Sequence, residues 1–127
     1  GLEFRRVLFR SYNPDNHEES CGLLLATYRS SLDQAHDLGC ESIAFPAIST
    51  GAYQFPLQRA ASIAVSSART YLEACSTPTL IRFVLFGQAD WDVFLQAIDL
   101  GLQRFSGDRA CLVPDCTPGN RSANLYK

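Results

Sequence analysis

The sequence predicts an α/β fold with a parallel sheet, because two short apolar strands alternate with three amphipathic helices along its 127 residues. The strands, at 42–46 and 80–86, are bounded by turn residues, and apolar residues at helical spacing precede, separate and follow them. Each connection between strands in this order crosses over through a helix. Right-handed crossovers onto a parallel sheet are therefore expected.

The first helix is expected from about Asn16 to Leu38. Asp15 and Glu18 have the spacing of a capping box, and Gly39 is a residue type that commonly ends a helix. An apolar face at helical intervals is formed by Cys21, Leu24, Leu25, Tyr28, Leu32 and Ala35.

The second helix is expected to begin near Pro56, where the missing N–H of proline costs nothing. The turn Ser76-Thr77-Pro78 ends it, and Asp90 is a candidate N-cap for a third helix. The alanine-rich apolar face of the second helix consists of Leu57, Ala60, Ala61, Ala64, Val65, Ala68, Tyr71 and Leu72. The apolar face of the third consists of Trp91, Phe94, Leu95, Ile98 and Leu102.

Both ends of the chain are expected to lie outside the folded domain. Residues 1–11, GLEFRRVLFRS, lack an initiator methionine and resemble the translation of a sequencing-library adapter, so they are expected to be non-native. Residues 105–127 hold two prolines, two glycines and little periodic apolar content, which predicts an irregular tail. The domain itself is expected within residues 12–104.

Composition excludes several classes of function. A net charge of −2 and a pI near 5.6 leave no basic field for generic nucleic-acid binding, and no apolar run is long enough to cross a bilayer. The five cysteines are odd in number and contain no C-x-x-C pair, so reduced thiols in the cytoplasm are expected. Cys111 and Cys116 lack two further ligands for a metal. We expect a monomer without metal or cofactor and without membrane contact.

Four polar side chains are assigned structural rather than catalytic roles. His17 and His36 lie on the first helix away from any nucleophile pattern, so solvated surface positions are expected for both. Asp90 and Asp92 are expected to serve as helix cap and surface charge rather than as an acid/base pair, because nothing in the sequence places them near the Ser49-Thr50-Gly51 loop.

The run FPAISTGAYQFP, at 45–56, combines a strand end, a turn and a helix start. Ser49, Thr50 and Gly51 lie where backbone N–H groups near a helix start can bind a phosphate. Gly51 lets the main chain approach a phosphate without a Cβ, and the loop contains no lysine or arginine. The residues alone leave open an ordinary turn, in which the hydroxyls cap the helix and glycine only relieves φ.

The segment from Ser42 to Tyr53, followed by Phe55-Pro56-Leu57, closely resembles the second ligand loop of the macrodomain family, in its hydrolase branch. The similarity extends over about residues 12–104, through Tyr28-Arg29-Ser30-Ser31-Leu32 upstream and Ile81 to Phe86 downstream. The resemblance implies a three-layer α/β/α macrodomain-like fold. This chain would be the truncated C-terminal portion, without the N-terminal strands and helices.

The resemblance implies ADP-ribose or O-acetyl-ADP-ribose as the ligand and ADP-ribosylated proteins as partners. Phe86, at the end of the last strand, would lie against the adenine, although a core position is an alternative. Tyr53 would shape the substrate end of the cleft, although it could instead pack on Phe55. The diphosphate and distal ribose would be wrapped by Ser49, Thr50, Gly51, Ala52 and Tyr53.

The resemblance also implies that the complete parent protein hydrolyses O-acetyl-ADP-ribose or ADP-ribosyl esters on proteins. The family's adenine-reading acidic residue, its Asn-Ala-Asn-type segment and its glycine-rich loop with a catalytic Asp or Asn do not occur in residues 12–127. The catalytic residues are therefore expected upstream, and the chain alone is expected to bind ADP-ribose weakly and to be inactive. The alternatives are a non-catalytic ADP-ribose reader and a non-functional fragment.

Overall fold

The structure, a computed structural model, describes residues 13–46, 55–85, 87–104 and 122–126. It confirms the α/β class, and α1, β1, α2 and β2 lie within two residues of their predicted bounds. In chain order the elements are a 3₁₀ turn (Pro14–Asn16), α1 (His17–Asp37), β1 (Ser42–Pro46), α2 (Leu57–Ala74), β2 (Leu80–Val84), α3 (Gln88–Arg104) and β3 (Ser122–Tyr126).

The three strands form one sheet in the order β1-β2-β3. β1 and β2 are parallel, as predicted, and their register runs from Ser42 opposite Leu80 to Pro46 opposite Val84. β3 is antiparallel to β2, so the prediction of an irregular tail is wrong for residues 122–126. Residues 105–121 lie outside the described part of the chain.

The N-terminus of α1 has the predicted kind of cap, but one residue later than predicted. Asn16 accepts a hydrogen bond from the backbone N–H of Glu19, and its side-chain amide donates to the Glu19 carboxylate. Asp15 is not the cap because it belongs to a 3₁₀ turn, in which its backbone N–H donates to the Asn13 side chain at 3.0 Å. This turn delays the helix start and moves the N-cap from Asp15 to Asn16. The pair 16/19 is not a complete capping box, because the backbone N–H of Asn16 donates to the Asn13 carbonyl at 3.1 Å.

We expect Asn16→Ala to lower the free energy of unfolding by about 1 kcal/mol, because the first turn of α1 loses its side-chain acceptor. Urea denaturation followed by circular dichroism measures the change. Ser30→Ala, at an exposed position in the middle of α1, serves as the control and should change stability by less than about 0.5 kcal/mol. Equal losses in the two variants would contradict a capping role.

The core lies between the sheet and a layer of three helices. Phe83 of β2 is fully buried at its centre, with ring centroids 5.3 Å from Phe94 of α3, 6.1 Å from Phe45 of β1 and 6.4 Å from Tyr28 of α1. α2 contacts both α1 and α3, and small side chains let it pack closely between them. The alanines buried on this face are Ala60, Ala61, Ala64 and Ala68.

The opposite face of the sheet is less covered than the apolar strand sequences predict. Ala44 is exposed, and Arg82 and Val84 are half-buried, since no described helix packs on this side. The described residues thus show the sheet with one of the two helical layers expected. Leu25 was also expected on the apolar face of α1, but it is 48% exposed. It lies about 100° around the helix from Leu24, which is fully buried.

Candidate functional site

The candidate site is the edge of the sheet at which β1 and β2 end. Pro46 and Val84 are register partners, so the two parallel strands end side by side. The chain leaves β1 into residues 47–54 and returns as α2, while it leaves β2 through Leu85 and residue 86 and returns as α3. The carboxyl edge of a parallel sheet is where open α/β folds bind ligands.

The ligand residues named from the sequence lie outside the described part of the chain. The structure describes the residues on either side of them, and the large apolar side chains among these flanking residues are buried. Phe45 and Phe55, on either side of the phosphate-loop candidate, are 1% and 3% exposed, and Leu85, before Phe86, is 3% exposed. Phe55 is thus a core residue. The residues outside the described part are Ser49, Thr50, Gly51, Ala52, Tyr53 and Phe86.

Among the described residues, no side chain caps the N-terminus of α2. Its N-cap residue is Pro56, which makes no side-chain capping hydrogen bond, and the first turn contains no acidic residue. Arg59 lies in this turn and is exposed. It adds positive charge to the positive end of the helix dipole. Arg59 follows Pro56 by three residues, and this spacing could have predicted from the sequence that Arg59 lies in the first turn of α2.

The N-terminus of α3, by contrast, carries negative charge. The helix begins at Gln88, so Asp90 lies in its first turn rather than at the predicted N-cap position. The backbone N–H of Trp91 donates to the Gly87 carbonyl at 3.1 Å. Asp92 accepts a hydrogen bond from Gln88 Nε2 at 2.8 Å, which gives it a partner within the helix. Of the two helices that start at this edge, α2 is therefore the better anion acceptor.

A second polar cluster ties α1 to the end of α2 and the connection that follows it. Tyr71 donates a hydrogen bond from its hydroxyl to Asp33 Oδ1 at 2.9 Å. His36 Nδ1 lies 2.9 Å from the Thr77 carbonyl oxygen, which can only accept, so Nδ1 donates the hydrogen bond. His36 is half-buried, and the prediction of a fully solvated surface position is wrong for it, whereas His17 is exposed as predicted.

The environment of Tyr71 raises the pKa of its hydroxyl far above the ordinary value of 10.0. Burial is the largest cause, since the phenolate would lose its hydration; the hydrogen bond to Asp33 and the charge of that carboxylate act in the same direction. The cluster lies at the C-terminal end of α2, whereas the candidate site lies at the N-terminal end of that helix. We therefore assign it a structural role.

The described residues contain no group of three or more His, Cys, Asp or Glu side chains arranged to hold a metal ion. Within the described ranges, no disulfide bond joins Cys21, Cys40 or Cys75. Cys21 Sγ lies 3.5 Å from His17 Nε2 on the exposed start of α1. Cys111 and Cys116 lie outside the described ranges. No helix in the described ranges combines the length and apolar character needed to span a membrane.

Sequence comparisons identify relatives of this chain. The model of the Macro domain family matches residues 7–64. A macro domain-containing protein of Caldanaerobacter subterraneus subsp. tengcongensis is 45% identical over 84 residues, which make up 66% of this chain and 47% of that protein. The O-acetyl-ADP-ribose deacetylase of Enterobacter cloacae subsp. cloacae is 43% identical over 74 residues, 58% of this chain and 40% of that protein.

Comparison with solved structures points to the same family. A mutant of the Oceanobacillus iheyensis macrodomain, solved with ADPR, aligns with a TM-score of 0.69 at 26% identity, covering 74% of this chain and 50% of that chain. Over residues 7–64 the chain matches the macrodomain family, and its α/β fold is that of the solved macrodomains. It spans about half the length of the curated relatives it matches. The family match begins at residue 7, before the expected domain boundary at residue 12, and that boundary stays a prediction.

Proposed function

We propose that the chain binds ADP-ribose at the edge where β1 and β2 end, with the diphosphate at the N-terminus of α2. The observation that carries the proposal is the register pairing of Pro46 with Val84, which brings the starts of the two candidate ligand segments together. The likeness to a macrodomain solved with ADPR supports the choice of ligand.

The charges at the two helix N-termini orient the ligand. A diphosphate is favoured at the uncapped start of α2, with Arg59 nearby, and disfavoured at the start of α3, where Asp90 repels it. The nucleobase end, which is uncharged, is compatible with the α3 side. We therefore propose that Ser49 to Tyr53 contact the diphosphate and distal ribose and that Phe86 lies against the adenine.

We propose hydrolysis of O-acetyl-ADP-ribose or protein-linked ADP-ribosyl esters for a protein of the relatives' full length. The name of the Enterobacter cloacae relative supports this activity.

A non-catalytic reader is the second candidate. The two candidates share the phosphate loop and differ in whether an upstream glycine-rich loop supplies an acidic or amide catalytic residue.

Calorimetric titration with ADP-ribose tests the binding proposal. The chain as it stands is expected to bind weakly, and a version extended upstream to the relatives' length is expected to bind more tightly. Micromolar affinity in the chain alone would overturn the expectation of weak binding. Absence of binding in the extended version would overturn the proposed function itself.

Gly51→Val in the extended version should lower the affinity for ADP-ribose by about 100-fold, because a branched side chain keeps the main chain from donating to the phosphates. Gly22→Val is the matched control. Gly22 lies on the exposed side of α1, where a Cβ would meet no atom within 4 Å, so binding should be unchanged. Equal affinities in the two variants would contradict the placement of the phosphates at this loop.

Turnover separates the two candidate activities. The extended protein should release ADP-ribose from O-acetyl-ADP-ribose or from an ADP-ribosylated protein if it is a hydrolase, as measured by chromatography of the products. Binding without release from either substrate would reject the hydrolase and leave the reader.

A further inference from the structure

A groove between α2 and α3 has the size and the chemistry of a ligand site that the proposed function does not use. Its volume is about 420 Å³, and it is lined by α2 from Gln58 to Thr70 and by α3 from Val93 to Leu100. Sites for small molecules typically occupy about 300–1,000 Å³. The side of α2 that lines the groove differs from the alanine face that packs into the core.

Among the described residues that line the groove, one side chain is cationic and none is a carboxylate. Arg69 is only 8% exposed, and the Nη1 atom of its guanidinium is buried. Arg69 already has an interaction within the chain. A guanidinium has five N–H donors in a fixed planar arrangement, so one group can bind more than one acceptor.

The remaining lining combines hydroxyl groups on the rim with an apolar floor. Ser62, Ser66 and Thr70 follow one another at intervals of one helical turn along α2 and are exposed. Val65 is buried beneath them, and Leu100 lies on the α3 side with 55% of its surface exposed. A ligand that fits has an anionic head group for Arg69 and a compact apolar body for the valine and leucine side chains.

We propose that this groove binds a small organic anion, with a carboxylate or phosphate at Arg69 and an aromatic or aliphatic body between α2 and α3. Charge complementarity identifies this class of ligand, because a buried arginine amid hydroxyl groups favours an anion over a neutral or cationic molecule. The proposal is independent of ADP-ribose binding at the carboxyl edge of the sheet.

Nuclear magnetic resonance titration of the full chain tests the proposal with benzoate, phenyl phosphate and the neutral isostere benzamide. Benzoate or phenyl phosphate should shift the backbone amide signals of residues 62–70 and 93–100 in a saturable way. Benzamide should bind at least about tenfold more weakly, since it lacks the charge that pairs with Arg69. Whichever anion binds more tightly identifies the head group. Equal binding of benzamide, or no saturable shift with either anion, would overturn the proposal.

Three variants locate the site. Arg69→Met should weaken binding of the preferred anion by about tenfold, while Arg29→Met, a change at an exposed arginine of α1 outside the groove, should leave it unchanged. Because Arg69 is buried, its loss can also affect folding. Ser66→Phe, at an exposed rim position, therefore provides a second test, since it fills the groove and leaves Arg69 in place. Undiminished binding in Ser66→Phe would overturn the proposal.

Discussion

Phe83→Ala is expected to lower the free energy of unfolding by about 3–5 kcal/mol. Phe83 is fully buried and lies within ring-contact distance of Tyr28, Phe45 and Phe94, which belong to three different elements. Truncation to alanine removes these contacts and leaves a cavity that the sheet and helices cannot close without moving toward one another. A loss of this size is a large fraction of the roughly 5–15 kcal/mol that holds a typical domain folded.

Urea denaturation, followed by circular dichroism, measures the loss for Phe83→Ala. Phe83→Leu keeps most of the side-chain volume and should cost about 1.5 kcal/mol or less. Leu25→Ala removes an exposed leucine of α1 and should change stability by less than about 0.5 kcal/mol. If Phe83→Ala were no more destabilising than Leu25→Ala, the ring cluster would not be the centre of the core.

The protein is expected to lose stability as the pH rises above 10, the ordinary pKa of tyrosine, because of Tyr71. The folded state raises the pKa of this hydroxyl, so the folded chain keeps its proton at a pH at which the unfolded chain has released it. The stabilisation is fully present below pH 10 and disappears as the pH rises from there toward the folded-state pKa. In this pH range the loss of stability comes from ionisation of Tyr71 in the unfolded chain.

Unfolding midpoints in urea at about pH 8 and about pH 11 test this expectation. Tyr71→Phe should reduce the alkaline loss, because the variant has no proton to release at this position. Asp33→Asn keeps a hydrogen-bond acceptor for Tyr71 but removes the charge. Because burial, the largest cause of the raised pKa, remains, this variant should show an alkaline loss between those of the parent chain and Tyr71→Phe. An alkaline loss in Tyr71→Phe as large as in the parent chain would show that other groups cause it.

Most of the fold could be predicted from local patterns in the sequence. α1 and α2 were predictable because long runs at helical spacing lie between clear start and stop residues, such as Pro56 and Gly39. β1 and β2 were predictable as apolar runs between turns, and their parallel pairing follows from the helix between them. The class of the fold follows from this order alone.

Features that depend on distant contacts could not be predicted. β3 contains a single large aliphatic residue, Leu125, and is a strand because it pairs with β2 and buries that side chain opposite Ile81. His36 was expected at the surface, but its ring nitrogen donates to Thr77, which lies 41 residues further along the chain. Hydrogen bonds between such distant positions leave no periodic signal in the sequence.

The candidate site was predictable in its location and less so in its chemistry. The Ser-Thr-Gly run indicated the edge at which β1 ends, and the register of Pro46 with Val84 shows that β2 ends beside it. The sequence did not indicate that the two helix starts at this edge carry opposite charge. Arg59 and Asp90 give the two helix starts opposite charge because each residue falls in the first turn of its helix. That position depends on the residue at which the helix begins, which the sequence alone did not fix for α3.

The position of β3 in the chain has a consequence for biosynthesis. A ribosome makes the chain from its N-terminus at about 5–20 residues per second, so α1, β1, α2, β2 and α3 all emerge before residues 122–126. Until then the side of β2 that later pairs with β3 has no strand partner, and the position opposite Ile81 that Leu125 later fills is empty. The nascent chain therefore presents an unpaired sheet edge during this interval, the period in which a chaperone or a neighbouring nascent chain can compete for it.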